Sequence, residues 1–370
     1  MKRKEFYALG IMSGTSLDGL DFSLIRSDGL NYVKIIKSEY YKFSLKIREE
    51  LSNLIKFSDL NKAIGGCDIF KKTNNNFSNY VNKKIQSFFS DSNLNRQKLD
   101  IIGLHGNTII HNPKKKISIQ LGDPFFIARN TNTPVVANFR IRDIKMSGQG
   151  APLVPVYHKA IFAKSKKKII VVNIGGISNY SFLEGRNKVF ASDIGPGNTL
   201  IDRFCIEKFN KFYDRNGLLA SRGKIDYNLV NRWINKRIFR KKTPISFDIK
   251  NFKYSDFCQE NKKKNEDLLR TLTFFSAKLI SELQYKINAK IDYWIFTGGG
   301  TKNPILMEDI KDLLGRKNVF VSDEFGFDSS FVESCAFAFI SIRTFKKLPS
   351  AFPNTTGCKK QNICGNLFKP

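Results

Sequence analysis

Phe6-Tyr7-Ala8-Leu9-Gly10-Ile11-Met12, then Ser13-Gly14-Thr15-Ser16-Leu17-Asp18-Gly19, then Asp21-Phe22-Ser23-Leu24-Ile25-Arg26, decide the fold. The first run is apolar and reads as a short buried strand. The last alternates roughly and reads as a second strand. The stretch between them is too polar and too glycine-rich for either, so it is a tight turn. Tyr32 to Phe43 continues as a third extended stretch. In such a turn, glycine lets backbone N–H groups approach an anion closely, and Thr15 and Ser16 add hydroxyl donors. Asp18 is placed to help hold a magnesium ion through waters. Taken singly, such a turn is more often a tight turn with no ligand at all.

Working outward, Lys46 to Phe57 and Phe77 to Phe89 carry helical spacing, and Ile101 to Leu104 is a strand ending at His105-Gly106-Asn107. Pro134-Val135-Val136-Ala137 leads into the polar loop Arg140 to Gly150, where one α/β unit gives way to the next. The second opens with Ile169 to Val172, continuously apolar as in a strand buried on both faces, and turns at Asn173-Ile174-Gly175-Gly176. Val189 to Ala191 precedes Asp193-Ile194-Gly195-Pro196-Gly197-Asn198. A helix follows with Ile201, Phe204, Cys205, Phe209 and Phe212 on one face. A long helix marked by Leu268, Leu272, Phe275, Leu279, Leu283 and Ile287 feeds Tyr293 to Phe296, which breaks at Thr297-Gly298-Gly299-Gly300. Pro304 suits a first helical position, so the helix Ile305 to Leu314 is expected to point its N-terminus at that glycine loop. Alternating strands and helices imply mainly parallel, helix-covered sheets. Two units that each open strand–turn–strand make a duplicated α/β architecture.

The totals agree. A chain of 370 residues exceeds what one hydrophobic core supports, so two domains are expected. The composition, 41% hydrophobic and 26% charged, is that of a globular protein. No run is long enough to cross a bilayer. Met1-Lys2-Arg3-Lys4 imitates a signal peptide, but the short apolar run after it reads better as a buried strand. The 6 cysteines lack a C-x-x-C spacing and there are only 3 histidines, so no zinc site is expected and the thiols read as reduced and mostly buried, in a cytoplasmic protein. A net charge of +29 raises nucleic acid as a partner. Its lysines are spread along the chain, and the densest clusters, Lys164 to Lys168 and Lys262 to Lys264, have no interleaved aromatics. A solvated basic surface is the expectation, with no nucleic-acid and no membrane partner.

Three glycine-bearing turns thus follow apolar strands, at 14–19, 195–197 and 298–300, and a split nucleotide site is the reading that uses all three. Neither a Walker lysine loop nor a G-x-G-x-x-G is present. Asp193, beside a Gly-Pro-Gly turn near a strand's carboxyl end, is where open α/β sheets place their chemistry. A carboxylate there can accept a sugar hydroxyl's proton or orient an attacking water; the plainer alternative is that it caps the next helix. Arg140 and Arg142, with Asp143 and Gln149, either offer guanidinium groups to an anion or close a surface loop with their own ion pairs. His105 and His111 flank a Gly-Asn-Thr turn and are weak as a metal pair; His158 reads as structural.

These strings, in this order, resemble the 1,6-anhydro-N-acetylmuramic acid kinases of the actin/hexokinase/Hsp70 superfamily. The likeness is carried by Gly10 to Asp21, Leu104 to Thr108, Gln120-Leu121-Gly122-Asp123-Pro124, Gly148 to Pro155, Asn173 to Asn179, Asp193 to Asn198, Thr297 to Gly300, Val332 to Ala338 and Pro353 to Gly357. The resemblance implies an α/β, two-domain, duplicated actin-like (ribonuclease H-like) fold with a central interdomain cleft. Residues 1–130 with 345–370 would form the first domain and 131–344 the second. It implies ATP and Mg2+ as cofactors, an anhydro-sugar as small-molecule partner, and hydrolytic opening of the 1,6-anhydro bridge coupled to phosphorylation of O6. Gly14, Thr15, Ser16, Leu17, Asp18, Gly19, Leu20 and Asp21 would hold the ATP phosphates, with Gly195, Gly197, Asn198, Gly298, Gly299 and Gly300. Asp193 would be the general base, and His105, Arg140, Gln149 and Glu333 would line the sugar site. Three positions depart from the family's pattern: Asn138 for Asp, Ser147 for Gly and Ile194 for Thr. The Asn138 change bears on the sugar more than on the kinase class. The sequence leaves homodimer formation open. A sugar-independent ATPase on the same scaffold is the rival reading.

Overall fold

The computed structural model describes residues 4–14, 17–60, 67–90, 98–164, 166–186, 188–241, 243–258 and 263–370. Thr15 and Ser16 of the first turn, and Lys262, lie outside them. The chain forms two compact units, Met1–Ile161 with Glu333–Pro370, and Phe162–Val332.

In the first unit, β1 (Phe6–Ser13), β2 (Gly19–Ser27) and β3 (Val33–Lys42) form an antiparallel meander. Helices α1 (Leu45–Leu60) and α2 (Asp68–Ser90) return the chain to β4 (Ile101–Asn112), parallel to β1. β5 (Ile117–Gln120) folds back on β4, and α3 (Pro124–Thr131) leads to β6 (Val135–Ala137), parallel to β4. Then come α4 (Ile141–Lys145) and α5 (Pro155–Phe162).

The second unit repeats the plan. β7 (Lys168–Ile174), β8 (Ile177–Glu184) and β9 (Lys188–Pro196) are the meander. Helices α6 (Thr199–Phe209), α7 (Tyr227–Ile234), α8 (Ser255–Cys258), α9 (Asn265–Ser281) and α10 (Leu283–Lys286) precede β10 (Tyr293–Thr297), parallel to β7. After α11 (Pro304–Leu314), β11 (Val319–Val321) lies parallel to β10. The chain ends with α12 (Val332–Phe345), α13 (Pro353–Thr356) and β12 (Asn366–Phe368), the last antiparallel to β6.

With the side strand β5 and the terminal β12 set aside, both sheets therefore run third–second–first–fourth–fifth: β3-β2-β1-β4-β6 and β9-β8-β7-β10-β11. In each, an antiparallel meander is continued by parallel strands. That is the ribonuclease H-like order, present twice, as expected of a duplicated actin-like fold. Each unit has its own core, one around Leu9, Phe22, Phe77 and Phe88, the other around Phe204, Phe275, Phe296 and the tryptophans Trp233 and Trp294. β7 is buried at every position but its first, the mark of a strand covered on both faces.

Four expectations are corrected. The division falls at 161/162 and 332/333 rather than 130/131 and 344/345, because β6 is a parallel strand of the first sheet and α12 packs on that sheet too. α12 comes so close that a Cβ at Gly10 would lie 1.9 Å from the Ser334 carbonyl, and one at Gly103 2.4 Å from that of Phe337. Second, His105-Gly106-Asn107 is not a turn but the middle of β4. Third, α6 stops at Phe209 because Asn210 turns left-handed (φ 51°), which leaves Phe212 outside the helix and 62% exposed. Fourth, the long helix is two, α9 and α10. The six cysteines are thiols rather than disulfides, and all but half-buried Cys67 are buried.

Candidate active site

In the first unit the site is built at the carboxyl ends of β1, β4 and β6, the edge where parallel sheets present loops. The β1/β4 ladder pairs Ile11 with Leu104 but Met12 with Gly106, so His105 is one extra residue, a bulge of the kind that re-aims side chains beside active sites. Gly106 takes φ +69°, and any Cβ there would sit 1.8 Å from the Leu121 carbonyl. The bulge aligns Asn107 with Ser13, and its Nδ2 donates to Ser13 Oγ (3.1 Å) and the Gly14 carbonyl (3.0 Å). Asn107 thereby ties the root of the turn to β4. Its Oδ1 is buried and has no hydrogen-bond partner among the described residues.

His105 is buried, with its ring 4.3 Å from that of Phe337. Arg140 Nε donates to His105 Nε2 at 3.1 Å. A guanidinium only donates, so Nε2 is unprotonated, and Nδ1 carries the proton to the Gly106 carbonyl at 3.0 Å. Burial, then the Arg140 charge, hold this imidazole well below its ordinary pKa. It is a neutral orienting group. Arg140 Nη1 also reaches the Gly150 carbonyl (2.9 Å), whereas Arg142 is exposed.

Asp143 is fully buried and accepts from the Gly150 amide (2.8 Å), Thr356 Oγ1 (2.8 Å) and Asn362 Nδ2 (3.0 Å). The Gln149 amide donates to the Thr356 carbonyl (2.7 Å). Hydrogen bonds to the C-terminal segment thus close the 140–150 loop. Glu333 lies half-buried in the first turn of α12. Asn138 follows β6, exposed and left-handed at φ 56°, a conformation asparagine adopts more readily than most residues.

Within the turn, Leu17 is left-handed at φ 54°. The Asp18 carbonyl accepts from the Phe43 amide at 2.9 Å. Gly19, Leu20 and Asp21 already belong to β2, and Leu20 is a core residue with no exposure. Among the described residues no three His, Cys, Asp or Glu gather to hold a metal. The one or two carboxylates offered by Asp18 and Asp21 fit a magnesium ion that keeps most of its waters and takes its other ligands from phosphate.

In the second unit three glycine strings meet at the carboxyl ends of β7, β9 and β10. The amides of Gly197 and Asn198 donate to the carbonyls of Gly176 (2.8 Å) and Gly175 (2.9 Å). Gly298, at φ +87°, would put a Cβ 2.3 Å from Asn173 Oδ1. Gly195 packs under Leu279 and Phe239, and Gly300 against Ile174. These glycines serve close chain packing. Gly299 is exposed and would meet nothing within 4 Å, so its backbone is the part of the string open to a ligand.

Asp193 is 8% exposed. Its Oδ2 accepts the Phe247 amide at 2.7 Å, and its own amide donates to the Ile245 carbonyl at 3.0 Å. It stands three residues before the end of β9 and does not cap α6, whose N-cap is Asn198. Helix α11 starts at Pro304 as expected, but Asn303 Oδ1 takes the amides of Ile305 and Leu306 (3.1 and 3.3 Å). Those two donors are therefore spent within the chain. Sequence reasoning missed the parts played by Asn107, Asp143 and the Gly175-Gly176 turn. Only the last had a local signal, its paired glycines.

Two ribonuclease H-like units, each with glycine-bearing turns at the carboxyl edge of its sheet, define an actin/hexokinase-type phosphotransferase scaffold. The family model for anhydro-N-acetylmuramic acid kinase matches residues 6–370, and the chain belongs to that family: it is a kinase, a phosphotransferase acting on a sugar hydroxyl. Among curated relatives, the anhydro-N-acetylmuramic acid kinase of Rhodopseudomonas palustris is 33% identical over 98% of this chain and 99% of its own. That of Brucella canis is 32% identical over 98% of each. A solved structure, (R)-2-hydroxyglutaryl-CoA dehydratase component A of Acidaminococcus fermentans, superposes with a TM-score of 0.46 at 10% identity, covering 92% of this chain and 100% of that one.

Proposed function

We propose that the chain uses ATP and water to convert 1,6-anhydro-N-acetylmuramate to N-acetylmuramate 6-phosphate and ADP, a cytoplasmic step of cell-wall recycling. The observation that carries this reading is Asp193: a buried carboxylate whose Oδ2 is fixed by the Phe247 amide, beside glycine strings at the edge of its sheet. The relatives' names supply the sugar. The mostly buried thiols, none in a disulfide, agree with a reducing compartment.

The chemistry follows from a strained, bridged acetal. Asp193 takes a proton from water, the water oxygen bonds to the anomeric carbon, and the bond from that carbon to O6 breaks. O6 receives the γ-phosphoryl group and ADP leaves. A carboxylate-activated water opposite the departing oxygen is the logic of inverting glycoside hydrolysis. In the first unit the turn from Gly14 to Asp21 is assigned to the nucleotide phosphates, and in the second the open Gly299 backbone is assigned to the nucleotide. Mg2+ bound near Asp18 and Asp21 would neutralise charge on the phosphates. Arg140, fixed by neutral His105, and Gln149 and Glu333 are assigned to the sugar.

An ADP-release assay tests this with and without 1,6-anhydro-N-acetylmuramate. ADP formation should require the sugar, and Asp193→Asn, whose amide oxygen still accepts from Phe247, should lose roughly 10²–10⁴-fold in kcat. Equal ADP release without sugar would overturn the kinase reading in favour of a sugar-independent ATPase. Undiminished turnover by Asp193→Asn would remove the base.

A further inference from the structure

β9 is the outer strand of its sheet, and the 245–247 segment lies along its edge. The Asp193 amide donates to the Ile245 carbonyl at 3.0 Å, and the Phe247 amide donates to Asp193 Oδ2 at 2.7 Å. One short stretch outside any strand or helix thus holds Asp193 twice, at its backbone and at its carboxylate. The ladder slips at the same place. Ser178 faces Gly195 but Asn179 faces Asp193, so Ile194 is an extra residue, a bulge of the kind that re-aims neighbouring side chains. A bulged edge strand has given up part of its ladder, so the aim of Asp193 depends on what the 245–247 segment supplies.

Two features pin that segment. One is aromatic. Phe247 packs on Phe252 with ring centroids 5.4 Å apart, Phe252 stacks on Phe239 at 6.0 Å, and Phe239 lies 3.0 Å from where a Cβ of Gly195 would be. The other is Ser192, the residue before Asp193, which has no exposure. Its Oγ accepts the Ile245 amide at 2.9 Å, and its proton has the Asp193 and Ile245 carbonyls at 3.1 and 3.3 Å as acceptors. A buried amide left without an acceptor costs free energy, so the serine oxygen fixes where Ile245 sits.

We infer that Ser192 is a positioning residue for the general base: its hydroxyl holds Ile245 against β9, and the 245–247 segment so held keeps the Asp193 carboxylate aimed. This rests on the reading of Asp193 as the base. Ser192 acts through Ile245 and Phe247 rather than on the sugar.

The test compares Ser192→Ala, Asp193→Asn and the double variant, with thermal melts to establish that each is folded. Sugar-dependent ADP release gives kcat and the sugar KM, calorimetry gives the ADP affinity, and hydrogen exchange follows the Phe247 amide. Ser192→Ala should lower kcat by about 5- to 30-fold, between the worth of one hydrogen bond and the cost of a misplaced catalytic group. The sugar KM and the ADP affinity should stay within about twofold, and the Phe247 amide should exchange faster. In the Asp193→Asn background Ser192→Ala should lower kcat no further. Ser192→Cys keeps the volume and a weak acceptor; its kcat should fall between wild type and Ser192→Ala, and it takes the place of the alanine variant if that one does not fold. With Asp193→Asn slow, an unchanged kcat or an unchanged Phe247 amide in the serine variants would overturn the role of Ser192. So would a matching loss of ADP affinity, or an equal fall in the Asp193→Asn background, since either marks a general loosening of the second unit. Undiminished turnover by Asp193→Asn would overturn the base, and the role of Ser192 with it.

Discussion

Ser147 holds φ +67° on an exposed stretch between α4 and Gly148, in the position where the family's pattern has glycine. An L-residue pays roughly 1 kcal/mol or more for that conformation, while glycine costs more to order from the unfolded chain. Ser147→Gly should therefore stabilise the protein by about 0.5–1 kcal/mol in urea unfolding, without touching Asp193 or the glycine strings. A loss of stability would mean that the serine hydroxyl does something the backbone does not show. At this scale the sequence marks a position wherever a residue type announces itself, and the structure shows Asp193 buried at the sheet's edge and Asn303-Pro304 opening α11. The site was illegible where a side chain acts at a distance. Asn107 meets Ser13 across 94 positions and Asp143 meets Asn362 across 219, separations that no local spacing encodes.

Helices α9 and α11 are pinned by one pair, Arg270 Nη1 and Nη2 against Asp309 Oδ2 and Oδ1, both at 2.6 Å, with side chains only 15% and 9% exposed. Burial still pushes the Asp309 carboxyl above its ordinary value despite the guanidinium, so desolvation outweighs attraction there. Removing one partner strands the other. Arg270→Met alone should cost roughly 2–4 kcal/mol, whereas Arg270→Met with Asp309→Leu should be near neutral or stabilising. A thermal-melt double-mutant cycle checks this, and a double variant as weak as the single would show that the pair is worth its desolvation. Elements themselves were read well where a period ran uninterrupted, as in β7 or α11. They were misread where a single residue's backbone decided: Asn210 ended α6, and the bulge at His105 let β4 run on through an apparent turn.

Across the whole molecule, the duplicated strand order was legible because each unit announces itself by an apolar strand and a glycine turn. The unit boundary was not, because α12 returns to the first sheet through backbone contacts at Gly10 and Gly103 that leave only glycines as their trace. All three histidines, His105, His111 and His158, belong to the first unit. Burial, the largest cause in each, lowers His111 and His158 to about 3 and His105 well below its ordinary value. Unfolded imidazoles titrate near ~6.5, so unfolding takes up protons as pH falls from there towards the folded values. The stability these neutral rings allow is complete above about pH 6.5 and shrinks below it, with a limiting slope of roughly 4 kcal/mol per pH unit for three groups. Hydrogen exchange at pH 7 and pH 5 should show protection lost first in β1, β4 and α12. Equal loss in β7 and β10 would refute it.

Both tryptophans, Trp233 and Trp294, are buried in the second unit's core, and the sequence has no others. The protein therefore carries a one-sided fluorophore. Indole emission watches the half without imidazoles and is blind to the half that titrates, so an acid titration followed by emission should trail one followed by far-ultraviolet ellipticity. A single-wavelength melt would report a sturdier protein than the one in the cuvette.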